Sequence, residues 1–235
     1  MYKDKKILSI IPARKNSKGL PSKNIKDFNG LPLISWSILH AKESKYIDDV
    51  VVTSDCEEVL SIAKENSVLF LRRPDKLATD DSHVPEAILH VLSSIDKIRE
   101  NTFDLVVLLQ PTSPLRAVRD IDGAIEFLCN SRASAVVSVC ESTCNLNYIN
   151  VLPEDLSMKN FLGNNGNLTN RQDHPKNYQL NGAVYAAYRR YLVENRGFYG
   201  EDTFAYIMPK ERSIDIDDVY DFRLAEFFVK MDRRK

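Results

Sequence analysis

Much of what narrows this sequence is what it lacks. Cysteine is sparse: only Cys56, Cys129, Cys140 and Cys144 occur. The Cys140–Cys144 pair has no CxxC or HxxxH companion, which argues against a zinc site and leaves ordinary free thiols of a reducing compartment. Neither sign of charge is in surplus, since 32 basic and 33 acidic residues give a net charge of −1. Global charge therefore offers no case for nucleic acid or a membrane surface as partner. No apolar run approaches the roughly 18 residues of a membrane-spanning helix. The opening MYKDKK followed by ILSIIPA is basic then apolar, yet it passes straight into Arg14 and Lys15 without a small-residue cleavage site. A cytoplasmic protein is expected. GxxxxGK[ST] and GxGxxG are both missing, which disfavours P-loop NTPases and dinucleotide dehydrogenases. There is no internal repeat and no low-complexity tract.

What is present describes a folded α/β chain. With 235 residues, 43% hydrophobic and 28% charged, it is long enough for a substantial core and ordinary in composition. Short runs rich in Ile and Val alternate with segments of helical period. Strands are expected at Ile7–Pro12, Val50–Ser54, Val68–Leu71, Leu105–Leu109, Ala135–Val139, Gly182–Tyr188 and Phe204–Met208. Helices are expected at Leu33–Ser44, Cys56–Asn66, Val84–Ile98, near Ile121–Cys129, and at Val219–Lys230. Asp81 or Ser82 can cap the third of these, and Pro85 is tolerated in its first turn. Alternating βαβ units with apolar strands imply a doubly wound, mostly parallel sheet with its ligand crevice beyond the strands' carboxyl ends.

The rhythm fails between about residues 141 and 178, which are rich in Asn and carry Pro153, Gly163, Gly166 and Pro175. So long an irregular stretch in a compact domain is expected to be functional or to pack on something else. We read residues 1–235 as one domain with 141–178 as an inserted arm that meets a second subunit.

Two features carry chemistry. The loop after the first strand holds five cations between residues 14 and 26 (Arg14, Lys15, Lys18, Lys23 and Lys26), no acid, and Gly19. A basic loop at the carboxyl end of a first strand sits where α/β folds bind phosphates, although a solvated loop would have the same composition. Near the other terminus, Ile214-Asp215-Ile216-Asp217 alternates. Strand geometry would send both aspartates to one face about 6.5 Å apart, suited to one hydrated Mg²⁺. An exposed strand end is the plainer alternative. Asp218, with Asp221 three residues on, reads as a helix N-cap.

Four blocks, in order, also resemble a family: IIPARKNSKGLPSKN, LLQPTSPLR (Leu108–Arg116), NGAVY (Asn181–Tyr185) and SIDIDDVYDF (Ser213–Phe222). Together they span nearly the whole chain and resemble the acylneuraminate cytidylyltransferases, the CMP-sialic acid synthetases. The resemblance implies a Rossmann-like nucleotidyltransferase domain with a dimerisation arm, so a homodimer. It also implies a reaction of CTP with a nine-carbon α-keto acid sugar, releasing pyrophosphate with the help of Mg²⁺.

Carried onto matching positions, the resemblance implies that Arg14 and Lys23 hold the triphosphate, with Ser17 and Asn24 supporting their loop. Backbone amides near Ala13, and Arg73 or Arg72, would touch the nucleotide; Arg73 aligns better because it directly precedes Pro74. Asp80 and Ser82 fall where base or ribose hydroxyls are read, though helix capping explains them too. Gln110, Asn181, Tyr185, Phe198, Tyr199 and, from the partner's arm, Arg171 would face the sugar. Asp215 and Asp217 would hold Mg²⁺, with Asp217 also able to assist proton removal.

One position departs from the family: Asn147 stands where relatives place a lysine in the arm. That opens legionaminic and pseudaminic acid as alternative sugars. Kdo or a sugar 1-phosphate is a further alternative, against which Arg171 and the Asn181–Tyr185 block argue. A regulatory module with a dead site is the alternative from another class, against which the full set of cations and aspartates argues. His40, His83, His90 and His174 show no metal spacing, and Trp36 reads as core.

Overall fold

The computed structural model of the chain describes all residues except 16–18, 80–81, 99–102, 145, 163–175 and 233–235, and not the side chains of Asn147 and Asp232. A seven-stranded sheet organises it. Its members are β1 (Ile7–Pro12), β4 (Asp49–Ser54), β5 (Leu69–Arg72), β6 (Leu105–Leu108), β7 (Ala135–Glu141), β8 (Tyr178–Tyr188) and β9 (Thr203–Ile207). They lie in the order β5-β4-β1-β6-β8-β7-β9. All neighbours are parallel except β8, which runs antiparallel to both β6 and β7.

Helices α1 (Leu33–Glu43), α2 (Glu57–Glu65), α3 (Val84–Asp96), α4 (Val118–Asn130), α5 (Arg189–Asn195) and α6 (Val219–Asp232) complete the fold. Alternate residues of β1 enter different cores, as a doubly covered strand requires. Ile7 and Ile11 join Ile34, Ile38, Val59, Ile121 and Ile125 on the side of α1, α2 and α4. Leu8 and Ile10 join Ile88, Val91, Leu92 and Leu192 on the side of α3 and α5. A third cluster (Leu20, Phe28, Leu33, Ile216, Phe222 and Ala225) seats α6 against the loop after β1.

The expected doubly wound, mostly parallel sheet is present. Its details correct several readings. A small hairpin, β2 (Asp27–Phe28) and β3 (Leu31–Pro32), was not foreseen, nor was α5. Residues 213–218 form no strand. The alternation there still holds, because Ile214 and Ile216 pack into the third cluster while the aspartates turn outward. Expected side-chain capping of α3 by Ser82 is not made. The N-cap position is His83, without a side-chain bond, and the Ser82 hydroxyl instead meets Thr79 Oγ1 at 2.8 Å and donates to the Lys76 carbonyl at 3.2 Å. Asp218 does cap α6: its Oδ1 accepts the Tyr220 and Asp221 amides, and Asp221 Oδ2 reciprocates on the Asp218 amide at 3.1 Å.

Asn181, Ala183 and Tyr185 do not share a face. The β7–β8 register shifts between Val137 and Val139, and Gly182 adopts φ +67 there, so Ala183 falls in one core and Tyr185 in the other. A bulge re-aims the side chains that follow it.

Candidate functional site

A cavity of about 470 Å³ opens at the carboxyl ends of β1 and β6, where a doubly wound sheet is expected to bind its ligand. Arg14, Lys23, Asn24, Arg73, Ser82, Gln110, Asp215 and Asp217 all line it. Three cations from two separate loops thus face two carboxylates from a third segment.

The loop after β1 is fixed from several sides. Asn24 Nδ2 donates to the Arg14 carbonyl at 2.9 Å, and the Lys15 amide donates to Asp55 Oδ1 at 2.8 Å. Buried Lys23 donates through Nζ to the Ile216 carbonyl and lies 3.4 Å from Asp217 Oδ1. Lys23 therefore ties the basic loop to the acidic segment as well as offering charge to the cavity. Arg14 reaches across to the Thr79 carbonyl.

Arg73 and Arg72 separate cleanly. Arg72 is exposed and paired with Glu57 on the surface, whereas Arg73 is 6% exposed and lines the cavity. Its Nη2 donates to the Thr53 carbonyl at 2.9 Å, and its buried Nε has no hydrogen-bond partner. Burial, with Arg14 nearby, lowers its pKa to about 10, against the opposing pull of Asp55. It remains a cation at neutral pH and is poorly neutralised, which suits it to an incoming anion. The first turn of α3 adds to this: Val84 lines the cavity and the helix begins without a side-chain cap, so its N-terminal partial charge is of the same sign.

The acidic side differs in character. Asp217 is exposed, with 84% of its side chain open. Asp215 is more sheltered: its Oδ1 is buried with no hydrogen-bond partner. Burial raises its pKa, and the Asp217 carboxylate adds to the rise. Thr112 and Lys23 pull the other way, although the Thr112 hydroxyl lies beside it without forming a hydrogen bond. An orphaned carboxylate oxygen next to a second carboxylate and three cations is a donor set that fits a divalent cation shared with phosphate oxygens. Among the described residues no group of three or more His, Cys, Asp or Glu forms a metal cage. Any ion here would take its remaining ligands from substrate and water.

Behind the floor lies a residue quoted only as part of a motif. Arg116 is 1% exposed. It donates Nε to the Ala183 carbonyl at 2.8 Å, Nη1 to Ser37 Oγ at 2.8 Å, and Nη2 to the Gln110 carbonyl. Burial lowers its pKa to about 9, opposed by Asp120 and Asp215. Its guanidinium braces the turn that presents Gln110.

Other expected residues stand back from the cavity. The Ala13 amide is already bonded to the Thr53 carbonyl at 3.0 Å, and Ala13 is a core residue. Asn181 is buried with both ends of its amide in use: Oδ1 accepts from Ser138 Oγ at 2.6 Å and the Ala183 amide at 3.2 Å, while Nδ2 donates to Ser213 Oγ at 2.9 Å. It props the β8 bulge. Phe198 is buried against Tyr185, ring centroids 5.4 Å apart. The Tyr185 pKa is raised by burial first, then by Tyr199 and Asp215. Tyr199 is exposed. Ser17, Asp80 and Arg171 lie outside the described residues. Gly19, expected in the basic loop, also lines the cavity, as do Thr79, His83 and Thr112, which were not foreseen there.

A doubly wound sheet with a cationic loop and a carboxylate pair at its carboxyl edge defines a nucleotide-phosphate-handling α/β protein. The chain belongs to the cytidylyltransferase family, whose profile matches residues 8–228. It is 32% identical over 225 residues to the post-translational flagellin modification protein B of Campylobacter coli, covering 95% of each chain. An N-acylneuraminate cytidylyltransferase of Escherichia coli O18:K1:H7 is 37% identical over 221 residues; these make up 94% of this chain but 51% of that protein. The CMP-N,N'-diacetyllegionaminic acid synthase of Legionella pneumophila is 33% identical, covering 97% of this chain and 98% of that one. Among solved structures, a CMP:2-keto-3-deoxy-manno-octonic acid synthetase complexed with CTP shares the fold, with a TM-score of 0.70 at 14% identity over 98% of this chain and all of that one.

Proposed function

We propose that this protein transfers CMP from CTP to a nonulosonic acid, a nine-carbon α-keto acid sugar, releasing pyrophosphate. The observation that carries the reading is the meeting of Arg14, Lys23 and Arg73 with Asp215, Asp217 and Gln110 around one cavity. Family membership and the names of the relatives support the same reaction.

In this reading the anomeric hydroxyl oxygen of the sugar attacks the α-phosphorus, and the bond to pyrophosphate breaks. Arg14, Lys23 and the buried Arg73 hold the triphosphate and spread its charge. Gln110, braced by Arg116, orients the sugar from the cavity floor. The proton of the attacking hydroxyl passes to the Asp215–Asp217 pair. Mg²⁺ held by that pair would supply charge neutralisation and alignment of the phosphate with the hydroxyl; the orphaned Asp215 oxygen supports its place.

The arm reading has support of its own. Leu146, Ile149, Val151, Leu152, Leu156 and Met158 are all exposed, Val151 to 87%. A run of bare apolar side chains favours coverage by a second copy, hence a homodimer with Arg171 serving the neighbouring site. No helix of the described residues is long and apolar enough to cross a membrane, and a cytoplasmic location fits the four free thiols.

The names of the relatives point to three sugars, N-acylneuraminate, a diacetylated legionaminate and pseudaminate, and Asn147 in place of the lysine keeps the second and third open beside the first. Pyrophosphate release with CTP and Mg²⁺ across N-acetylneuraminate, legionaminate, pseudaminate, Kdo and no sugar tests the reading. Release with one nonulosonate names the acceptor; silence across the panel from folded protein that binds CTP overturns it.

A further inference from the structure

Gly182 occupies an unusual place. It lies in the bulge of β8 with φ +67, and a Cβ built on it would stand 3.1 Å from Asp215 Oδ2, 3.2 Å from Gln110 Oε1 and 3.4 Å from Ser113 Oγ. Those atoms come from three separate stretches of chain. Asp215 and Gln110 are the acidic and amide groups that line the cavity, and Ser113 is held beneath them by donating to the Asn181 carbonyl at 3.1 Å.

The bulge is itself engineered by side chains. The Val184 amide donates to Ser138 Oγ at 2.8 Å, and Ser138 Oγ donates to Asn181 Oδ1 at 2.6 Å. The Val184 amide is thus satisfied by a side chain across the register shift. The left-handed backbone and the crowding both select glycine, for different reasons.

We infer that Gly182 is a positioning residue: its bare Cα is the common surface on which the Gln110 amide and the Asp215 carboxylate settle side by side. A Cβ there would press on both, displacing the group that orients the acceptor and the group that holds the metal by a few tenths of an ångström. The inference rests on the acceptor and metal roles proposed above.

Two controls separate crowding from backbone strain. Gly30 also has positive φ, +91, but a Cβ there would meet nothing within 4 Å, so Gly30→Ala carries strain alone. Gly182→Asn carries a Cβ but tolerates left-handed backbone better than alanine.

The experiment compares Gly182→Ala, Gly182→Asn, Gly30→Ala and the parent in two assays, with thermal melting to confirm folding. Mn²⁺ affinity in the presence of CTP should weaken about 5-fold or more in both Gly182 variants and stay within about twofold in Gly30→Ala. With the accepted sugar, kcat/KM should fall about 10-fold or more in both Gly182 variants, with KM for CTP nearly unchanged. Parent-like Mn²⁺ binding and kinetics in Gly182→Asn, or losses in Gly182→Ala no larger than in Gly30→Ala, would overturn the proposal. If the parent turns over no sugar, the acceptor reading fails on its own, and Mn²⁺ binding still decides the placement of Asp215.

Discussion

A Cβ on Gly19 would sit 2.2 Å from the carbonyl oxygen of Asp217. The basic loop and the acidic segment therefore touch backbone to backbone, and no side chain fits between them. Lys23 reinforces the same contact through the Ile216 carbonyl. The cations of the basic loop and the carboxylate pair are held in register by this seam.

Substituting Gly19→Ala should force the seam open by a large fraction of an ångström. Misplacement on that scale costs on the order of 100-fold in turnover. Steady-state kinetics should show the loss in kcat, while far-UV circular dichroism stays parent-like.

Arg73 and Arg72 are adjacent yet should behave oppositely. Arg73→Met removes a buried cation that lines the cavity, and loss of a charge-assisted contact of roughly 1.5–3 kcal/mol predicts a 10- to 100-fold weaker grip on CTP. Arg72→Ala breaks only an exposed pair with Glu57 and should leave CTP binding within about twofold. Calorimetric titration with CTP reads both.

Arg116 braces three acceptors from inside the core. Arg116→Met would remove the guanidinium donors from the Ala183 carbonyl and the Ser37 hydroxyl, and leave the Gln110 carbonyl only its 3.3 Å contacts from the Ser37 hydroxyl and the Ser113 amide. A destabilisation of about 3–5 kcal/mol is expected in urea unfolding. Arg116→Lys should recover only part of it, since one ammonium cannot serve three directions in a plane.

His40 should make the fold acid-sensitive. Burial first, then the neighbouring Arg116, lowers its pKa from 6.5 to about 4, against the pull of Asp120. In the unfolded chain the same imidazole protonates near 6.5, so between that pH and about 4 the unfolded state binds the extra proton. Its contribution is therefore present above pH 6.5 and is lost as the pH falls toward 4, by about 3 kcal/mol in all. Urea midpoints across this range should fall less steeply for His40→Gln than for the parent. Equal slopes would show that His40 is not the group responsible.

The strands were legible because parallel strands buried on both faces need continuous apolar runs, and Ile7–Pro12 matches its expected bounds. The reversal of β8 was not legible, since direction leaves no mark on side-chain pattern. Nor was its bulge, whose supports Ser138 and Asn181 are polar residues within an apolar run. The hairpin had a readable signal: Asn29 and Gly30 both have positive φ, and Asn-Gly is the favoured two-residue turn. In the cavity, charged residues could be found from position and resemblance. Thr79, Thr112 and His83 could not, because they reach it only through the path of loops in space. Asp215 and Asp217 were found by an alternation that outlived the strand it was attributed to, since burying Ile214 and Ile216 in one cluster turns the intervening side chains outward whatever the backbone label.

Because β8 runs against its neighbours, it begins at the same edge of the sheet at which β7 ends. The chain leaves that edge after Glu141 and returns at Tyr178, with the Ser142 amide bonded to the Asn177 carbonyl at 2.8 Å across the gap. Both ends of the intervening segment are thus held together at the carboxyl end of β7, so it joins the sheet through one neck. Change within such an insertion bears on the sheet only through that neck, and the contact between Gly19 and Asp217 is made elsewhere in the chain. A fold wired this way can vary one part of its surface while the opposite walls of its cavity stay in register.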